Sequence, residues 1–396
     1  MRRSLHGLLA IALILSANPA ATQPADVDFR PVDAAGHGPW TPFAAQAGGA
    51  PAVTAAINGR QVSAILDTGA GFSIASPQTV RALGLSSQGT VTVDTVAGPV
   101  EMTTVGPVTI ELGNYRVERK AILAQPAPAT AQRAVAVSDL VIGRDVLTCC
   151  ALEIDHDRNR FRFAAAIEAQ PRQTRHALQF TPGRADMVLH AGISGNPRLK
   201  LIVDLGFDGE LMLASHGWQS FPSRRLKITD TLVGGLGGPV LKKLAILPEL
   251  DLGGRRIRNV ETYLEDTNGY ADARGVDGII GARLLARFNP AFDVRHGILA
   301  LTDRRGAPVP RVKSTSGVVV LPEGDRLHVL HIMQGSPAAR SPLKPGDLIC
   351  RVNGRPIPED YYKSDLRKWS IDTPGKTVSL DLCDGRYATL VLRDFY

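Results

Sequence analysis

The chain repeats itself at a spacing of about 140 residues, and this constrains its fold more than any other feature. Val203-Asp204-Leu205-Gly206 repeats the shape of Leu66-Asp67-Thr68-Gly69: an apolar run, an Asp, one residue, then Gly, at an offset of 137. Gly98-Pro99-Val100 returns as Gly238-Pro239-Val240, and Leu112-Gly113 as Leu252-Gly253, both at 140. Asp139-Leu140-Val141-Ile142-Gly143 returns as Asp277-Gly278-Ile279-Ile280-Gly281, and Ile154-Asp155 as Phe292-Asp293, both at 138. Five landmarks in one order, drifting by three residues, indicate a duplication. Two similar lobes are expected, over 45–165 and 175–305, joined by a connector at 166–174.

Each lobe reads as β. Val53 to Ile57 and Gln61 to Leu66 flank Asn58-Gly59-Arg60, a tight hairpin signal. Met187 to Ile193 and Leu199 to Val203 flank Ser194-Gly195-Asn196-Pro197 in the second lobe. A further hairpin follows in each, around Ala97-Gly98-Pro99 and Gly234 to Pro239. Aromatic residues are only 5% of the chain, while Gly (39) and Pro (27) abound, which suits short strands and tight turns. Gln125 to Gln132 reads as an irregular loop.

Taken alone, Asp67-Thr68-Gly69 fits either a surface turn or half of a two-carboxylate site. With the repeat, the pattern resembles the retropepsin-like and pepsin-like aspartic proteases, which carry one Asp-Thr/Ser-Gly per lobe. Val141-Ile142-Gly143 and Ile279-Ile280-Gly281 stand where that family has the segment crossing beneath each Asp loop. The resemblance covers residues 45–305. It implies a catalytic pair, Asp67 and Asp204, with Thr68, Gly69 and Gly206 supporting the loops, and no metal or cofactor. Gly98, Gly237 and Gly238 become flap candidates, although each is also explained as an ordinary Gly-rich turn.

One position departs from that pattern. Leu205 stands where the family has Thr or Ser, so its side chain cannot join the hydrogen bonds between the two loops, and a loosened pair is expected. Ala70 and Phe207 offer no hydroxyl to the carboxylates. A working pH of about 5–6.5, less acidic than the pepsin type, follows. Asp208 and Glu210 are expected to face solvent, and Asp155-His156-Asp157 to form a surface turn rather than a metal cluster.

The last segment differs. Arg304 to Pro310 is a polar, Pro-containing boundary. Beyond it, Gly335 to Gly354, "GSPAARSPLKPGDLICRVNG", resembles a bacterial PDZ domain, covering 306–396. Ser336 is placed to cap a short helix, Asn353-Gly354 to turn a hairpin, and Tyr362, Leu366 and Trp369 to share one face of a helix over Asp360 to Trp369. The resemblance implies capture of a chain end or extended segment, with Ser316, Gly317 and Val318 in the peptide-binding loop.

Residues 1–21 read as a signal peptide: Arg2-Arg3, the apolar Leu8 to Leu15, then small Ala17, Ala20 and Ala21. Residues 22–44 form a lead-in, and Thr22 to Pro51 reads as either a short pro-segment or an N-terminal strand. The formal charge of +7 is scattered, without a basic run interleaved with aromatics, so nucleic acid is not an expected partner. Four Cys are too few for a disulfide scaffold; all read as small buried hydrophobes, with a Cys350–Cys383 bridge open. The expectation is a mainly β chain of two homologous aspartic-protease lobes followed by a PDZ-like α+β domain, exported to a periplasm or secreted, acting on peptides or proteins. Its rival is a non-catalytic peptide-binding adaptor on the same fold.

Overall fold

The computed structural model describes residues 27–29, 31, 33, 36–45, 49–125, 138–193, 196–219, 221, 226–234, 238–306 and 313–396. The expected signal peptide, most of the loop at 125–132 and Gly237 lie outside them.

Pairs of strands build each lobe as the repeat anticipates. Pro51–Ile57 and Arg60–Leu66 pair across a turn in which Asn58 and Gly59 both take positive φ, 49° and 77°. Along Arg60–Leu66 the side chains alternate: Val62, Ala64 and Leu66 go into the core, while Ile65 faces the other way. The short strand Leu140–Ile142 then slots in parallel to Arg60–Leu66, with Ile142 opposite Leu66, and antiparallel to Ile74–Ala75. In the second lobe Gly278–Gly281 lies parallel to Asn196–Asp204, with Gly281 opposite Asp204, and antiparallel to Leu211–Leu213. Each Asp is thus set at a strand end, fixed from below by the crossing strand. The lead-in contributes the strand Val27–Phe29, paired with Tyr115–Arg119.

The lobes meet through a shared six-stranded sheet. Ala151–Asp155 of the first pairs antiparallel with Phe288–Asp293 of the second, and Glu153 faces Ala291. Those two residues are repeat mates at offset 138, so the pseudo-two-fold axis passes between them. One apolar cluster runs from Phe43 through both lobes to Leu301, and it includes Leu66, Val203 and Leu205.

Asp155-His156-Asp157 is a turn but not a surface one. His156 is buried, its N–H donating to Asn289 of the other lobe, and Asp157 binds the Arg304 guanidinium at 3.0 Å. Burial, reinforced by the Arg304 charge, pushes His156 down to about 4. The second lobe supplied partners that a local reading of three polar residues could not show.

The last 84 residues form a separate core around Leu327, Val329, Ile349, Val352, Leu380 and Leu390. Its sheet runs, in space, through Val318–Glu323, Arg326–Ile332, Leu348–Val352, Thr377–Leu382 and Tyr387–Val391. The single helix expected over 360–369 is instead two 3-10 turns, Tyr361–Lys363 and Asp365–Ile371, separated by extended Ser364. That break shifts the register: Tyr361 is buried and donor to its ring oxygen is Trp369 Nε1 at 3.0 Å, while Tyr362 is 64% exposed.

All four Cys are bridged. Cys350 and Cys383 staple neighbouring strands, and Cys149 and Cys150 form a bond between adjacent residues. The reading of these as small buried hydrophobes is corrected: Cys150 is buried, Cys149 and Cys350 are half-buried and Cys383 is exposed, and the bridge left open between Cys350 and Cys383 is formed.

Candidate active site

Asp67 and Asp204 come together at the lobe interface. The Asp67 N–H donates to the Ile142 carbonyl at 2.9 Å, so the crossing strand sets the loop's height. One carboxylate oxygen of Asp67 accepts from the N–H groups of Gly69 and Ala70, both at 2.8 Å. Asp204 repeats this with Gly206 at 2.7 Å and Phe207 at 3.2 Å. A Cβ on Gly69 would collide with the Asp204 carboxyl group, and one on Gly206 with that of Asp67. Only glycine lets each loop approach the opposite acid this closely.

Asp67 and Asp204 are both half-buried. Burial raises Asp67, against the hydrogen bonds from Ala70, Asp204 and Gly69. Burial also raises Asp204, and there the Asp67 charge adds to it. Two acids this close hold their second proton well above the ordinary carboxylate range.

Thr68 is fully buried and bridges the lobes: its hydroxyl donates to the Val203 carbonyl and accepts from the Leu205 N–H, both at 2.9 Å. The Leu205 side chain turns into the core with no exposure. The loops are therefore tied by one hydroxyl.

Arg144 supplies a second tie, which the repeat hides. Its N–H donates to Ala70 O, just as the N–H of Ala282 donates to Phe207 O, so Arg144 and Ala282 are equivalent positions. Only the first lobe carries a cation there. Arg144 donates to the carbonyls of Thr68 (2.8 Å) and Gly69 (2.9 Å) and to Asp186 of the second lobe (3.0 Å). Asp186, buried, is also gripped by Arg274 Nη1 at 2.9 Å on each oxygen. Arg274 in turn stacks on Tyr270, whose hydroxyl is raised by burial and by the nearby Asp204 and Asp67 charges. The signal for Arg144 lay one residue past the Val141-Ile142-Gly143 motif, and comparison with Ala282 masked it.

The remaining candidates are placed as follows. Gly98 (φ 107°) opens the second strand of the hairpin Ser86–Thr95/Gly98–Gly106, and Gly238 (φ 100°) precedes Val240 in the matching hairpin. Asp94, near the first tip, pairs with Arg184 of the second lobe at 2.9 Å. Asp208 is exposed, as expected, and pairs with Arg283. Glu210 is not exposed: it is buried, accepts from the Glu261 N–H at 2.7 Å and pairs with Arg287, partners that its local sequence does not reveal. Ser316, Gly317 and Val318 form a loop whose N–H groups already donate within the domain, to Ser370 O, Ser314 Oγ and Ser316 Oγ.

Two Asp loops related by a pseudo-two-fold axis, each over a crossing strand, define an aspartic-protease architecture with an appended PDZ fold. Family comparison agrees: an aspartyl protease model matches residues 53–146 and a PDZ domain model matches 310–359. The chain thus carries an aspartyl protease domain and a PDZ domain, and no curated protein matches it. No helix among the described residues is long and apolar enough to cross a membrane.

Proposed function

We propose that the chain is a single-chain aspartic endopeptidase acting through Asp67 and Asp204. The observation that carries this is the mutual approach of the loops, each glycine packed against the opposite carboxyl group. At working pH the pair holds one proton. The ionised member draws a proton from a water between them, and the oxygen attacks the scissile carbonyl. The protonated member polarises that carbonyl and the leaving amine takes up a proton from the pair. The N–H groups of Gly69, Ala70, Gly206 and Phe207 keep both carboxylates oriented throughout. The hairpins bearing Gly98 and Gly238 serve as flaps over the peptide.

The amino-terminal pattern and the two disulfides support export to an oxidising compartment such as a periplasm. In the PDZ domain, Val318–Glu323 is the outermost strand of its sheet, which suits recognition by strand addition. The donors of Ser316 to Val318 are already taken, so a bound chain end would have to displace their present acceptors.

The test is cleavage of a mixed peptide library across pH 3–8. Cleavage by the parent chain, lost in both Asp67→Asn and Asp204→Asn, supports the reading. Peptide binding without cleavage at any pH favours a non-catalytic adaptor.

A further inference from the structure

Strand register identifies the wall of the cleft in each lobe. Ile65 lies two residues before Asp67 and therefore on the same face of its strand. Ile65 is opposite Val141, Val141 opposite Ile74, and Ile74 opposite Leu123, so these four form one row across the sheet. Ile202 lies two residues before Asp204, and its row continues through Ile279, Met212 and Tyr263. A peptide lying across Asp67 and Asp204 would set its side chains against these two rows.

The rows are equivalent in origin but not in their covering. The first-lobe row clusters with Met102 and with its own Ala70, Val93 and Val100. The second-lobe row clusters with Phe207, but also with Met333, Tyr396, Val319 and Phe395 of the PDZ domain. Met333 is 2% exposed and Tyr396 7%. The Tyr396 hydroxyl donates to Glu261 Oε2 at 3.2 Å, and Glu261 lies two residues before Tyr263 on the same strand face. The Phe395 and Tyr396 rings meet edge-on at 4.9 Å, as do Phe207 and Tyr263 at 5.7 Å. Polar contacts hold the domain in place: Thr229 donates to Gln334 O and the Gln334 N–H donates to Asp230, both at 2.8 Å.

We propose that the second-lobe half of the cleft is a binding site for large aromatic side chains of a peptide, and that Phe395 and Tyr396 occupy it from within the chain. A substrate spanning both lobes must displace them. This rests on the protease reading for the identity of the cleft, and it names the substrate class: peptides with neighbouring aromatic residues on the second-lobe side of the cut. Tyr263 and Phe207 supply the edge-to-face partners that such rings prefer, and Glu261 accepts from a phenol.

The test uses binding, so that it does not depend on catalysis. In the full chain carrying Asp67→Asn, the affinity of a fluorescent peptide containing Phe-Tyr is measured by anisotropy beside the same peptide with Ala-Ala. Both are repeated with Phe395→Ser and Tyr396→Ser added. The expected result is at least tenfold tighter binding of the Phe-Tyr peptide once the tail is changed, with the Ala-Ala peptide unaffected. Equal affinity with and without the tail change, or an equal gain for both peptides, overturns the inference. Tyr396→Phe, which keeps the ring and removes the hydroxyl that donates to Glu261 and accepts from the Ser314 N–H, guards against a misfolded double variant: it should tighten Phe-Tyr binding two- to fivefold, and no change in a folded chain counts against the proposal. If the peptide binds as expected but the chain carrying Phe395→Ser and Tyr396→Ser with Asp67 intact cuts nothing across pH 3–8, the catalytic reading fails and this one stands.

Discussion

The Thr68 hydroxyl and the Leu205 N–H, 2.9 Å apart, make the hydrogen bond by which the first Asp loop holds the second. The same hydroxyl donates to Val203, so one side chain serves two buried backbone groups of the other lobe. Thr68→Ala should cost about 2–4 kcal/mol, because it strands both groups, and should lower cleavage by separating the loops. Thr68→Ser keeps the oxygen and should retain most of both. Thermal unfolding and peptide cleavage on the same samples check this.

Arg144 should matter as much to the fold as to the site. Its removal leaves the Thr68 and Gly69 carbonyls without that donor and leaves Asp186 with Arg274 and the Thr181 hydroxyl. Arg144→Met is expected to cost about 3–5 kcal/mol, the usual penalty for breaking a buried pair. Denaturant unfolding measures it. Ala282→Arg, the pseudo-symmetric change, would meet Gly49 where Arg144 meets Asp186 and should not compensate.

The raised carboxyl of Asp204 has a pH signature. In the unfolded chain this group titrates near 4, whereas burial and the Asp67 charge keep it protonated to higher pH in the fold. Its contribution to stability is therefore full at low pH and is lost as pH rises through the raised value. Asp204→Asn cannot ionise. Its Tm should match the parent near pH 3.5 and exceed it at pH 7, by about 2–4 °C per kcal/mol. In the parent, the alkaline limb of cleavage should fall above the ordinary carboxylate range.

Opening the Cys350–Cys383 bridge should loosen the PDZ domain before the lobes. The bridge closes a loop with a sequence separation of 33, for which the chain-entropy contribution is about 4 kcal/mol. Replacing both Cys by Ser should lower the domain's unfolding midpoint, read by hydrogen exchange at Val352 and Leu380, and leave protection at Leu66 and Val203 unchanged.

Much of the scaffold was legible because it depends on local pattern. Hairpin turns, alternating strands and the Asp-x-Gly loops are written in consecutive residues, and the duplication showed which of them belong together. Of the candidate site, the meeting of Asp67, Asp204 and Thr68 was legible. What stayed hidden depends on distant partners. Asp157 and Glu210 read as exposed because their ion-pair partners, Arg304 and Arg287, lie more than 70 residues away, and His156 because the Asn289 that meets its N–H does too. Arg144 went unnoticed because its counterpart is Ala282. The covering of the second-lobe row by Tyr396 follows from how the PDZ domain docks, which strand periodicity does not encode.

The most direct test of the central claim is a double-mutant cycle on kcat/KM with Asp67→Asn, Asp204→Asn and the two together. If the acids act as one unit, each single change should cost about 10³-fold or more, and the double should be no worse than either. Additive losses, or an Asp204→Asn variant that still cleaves, would contradict the shared-proton account and leave Asp67 working without its partner.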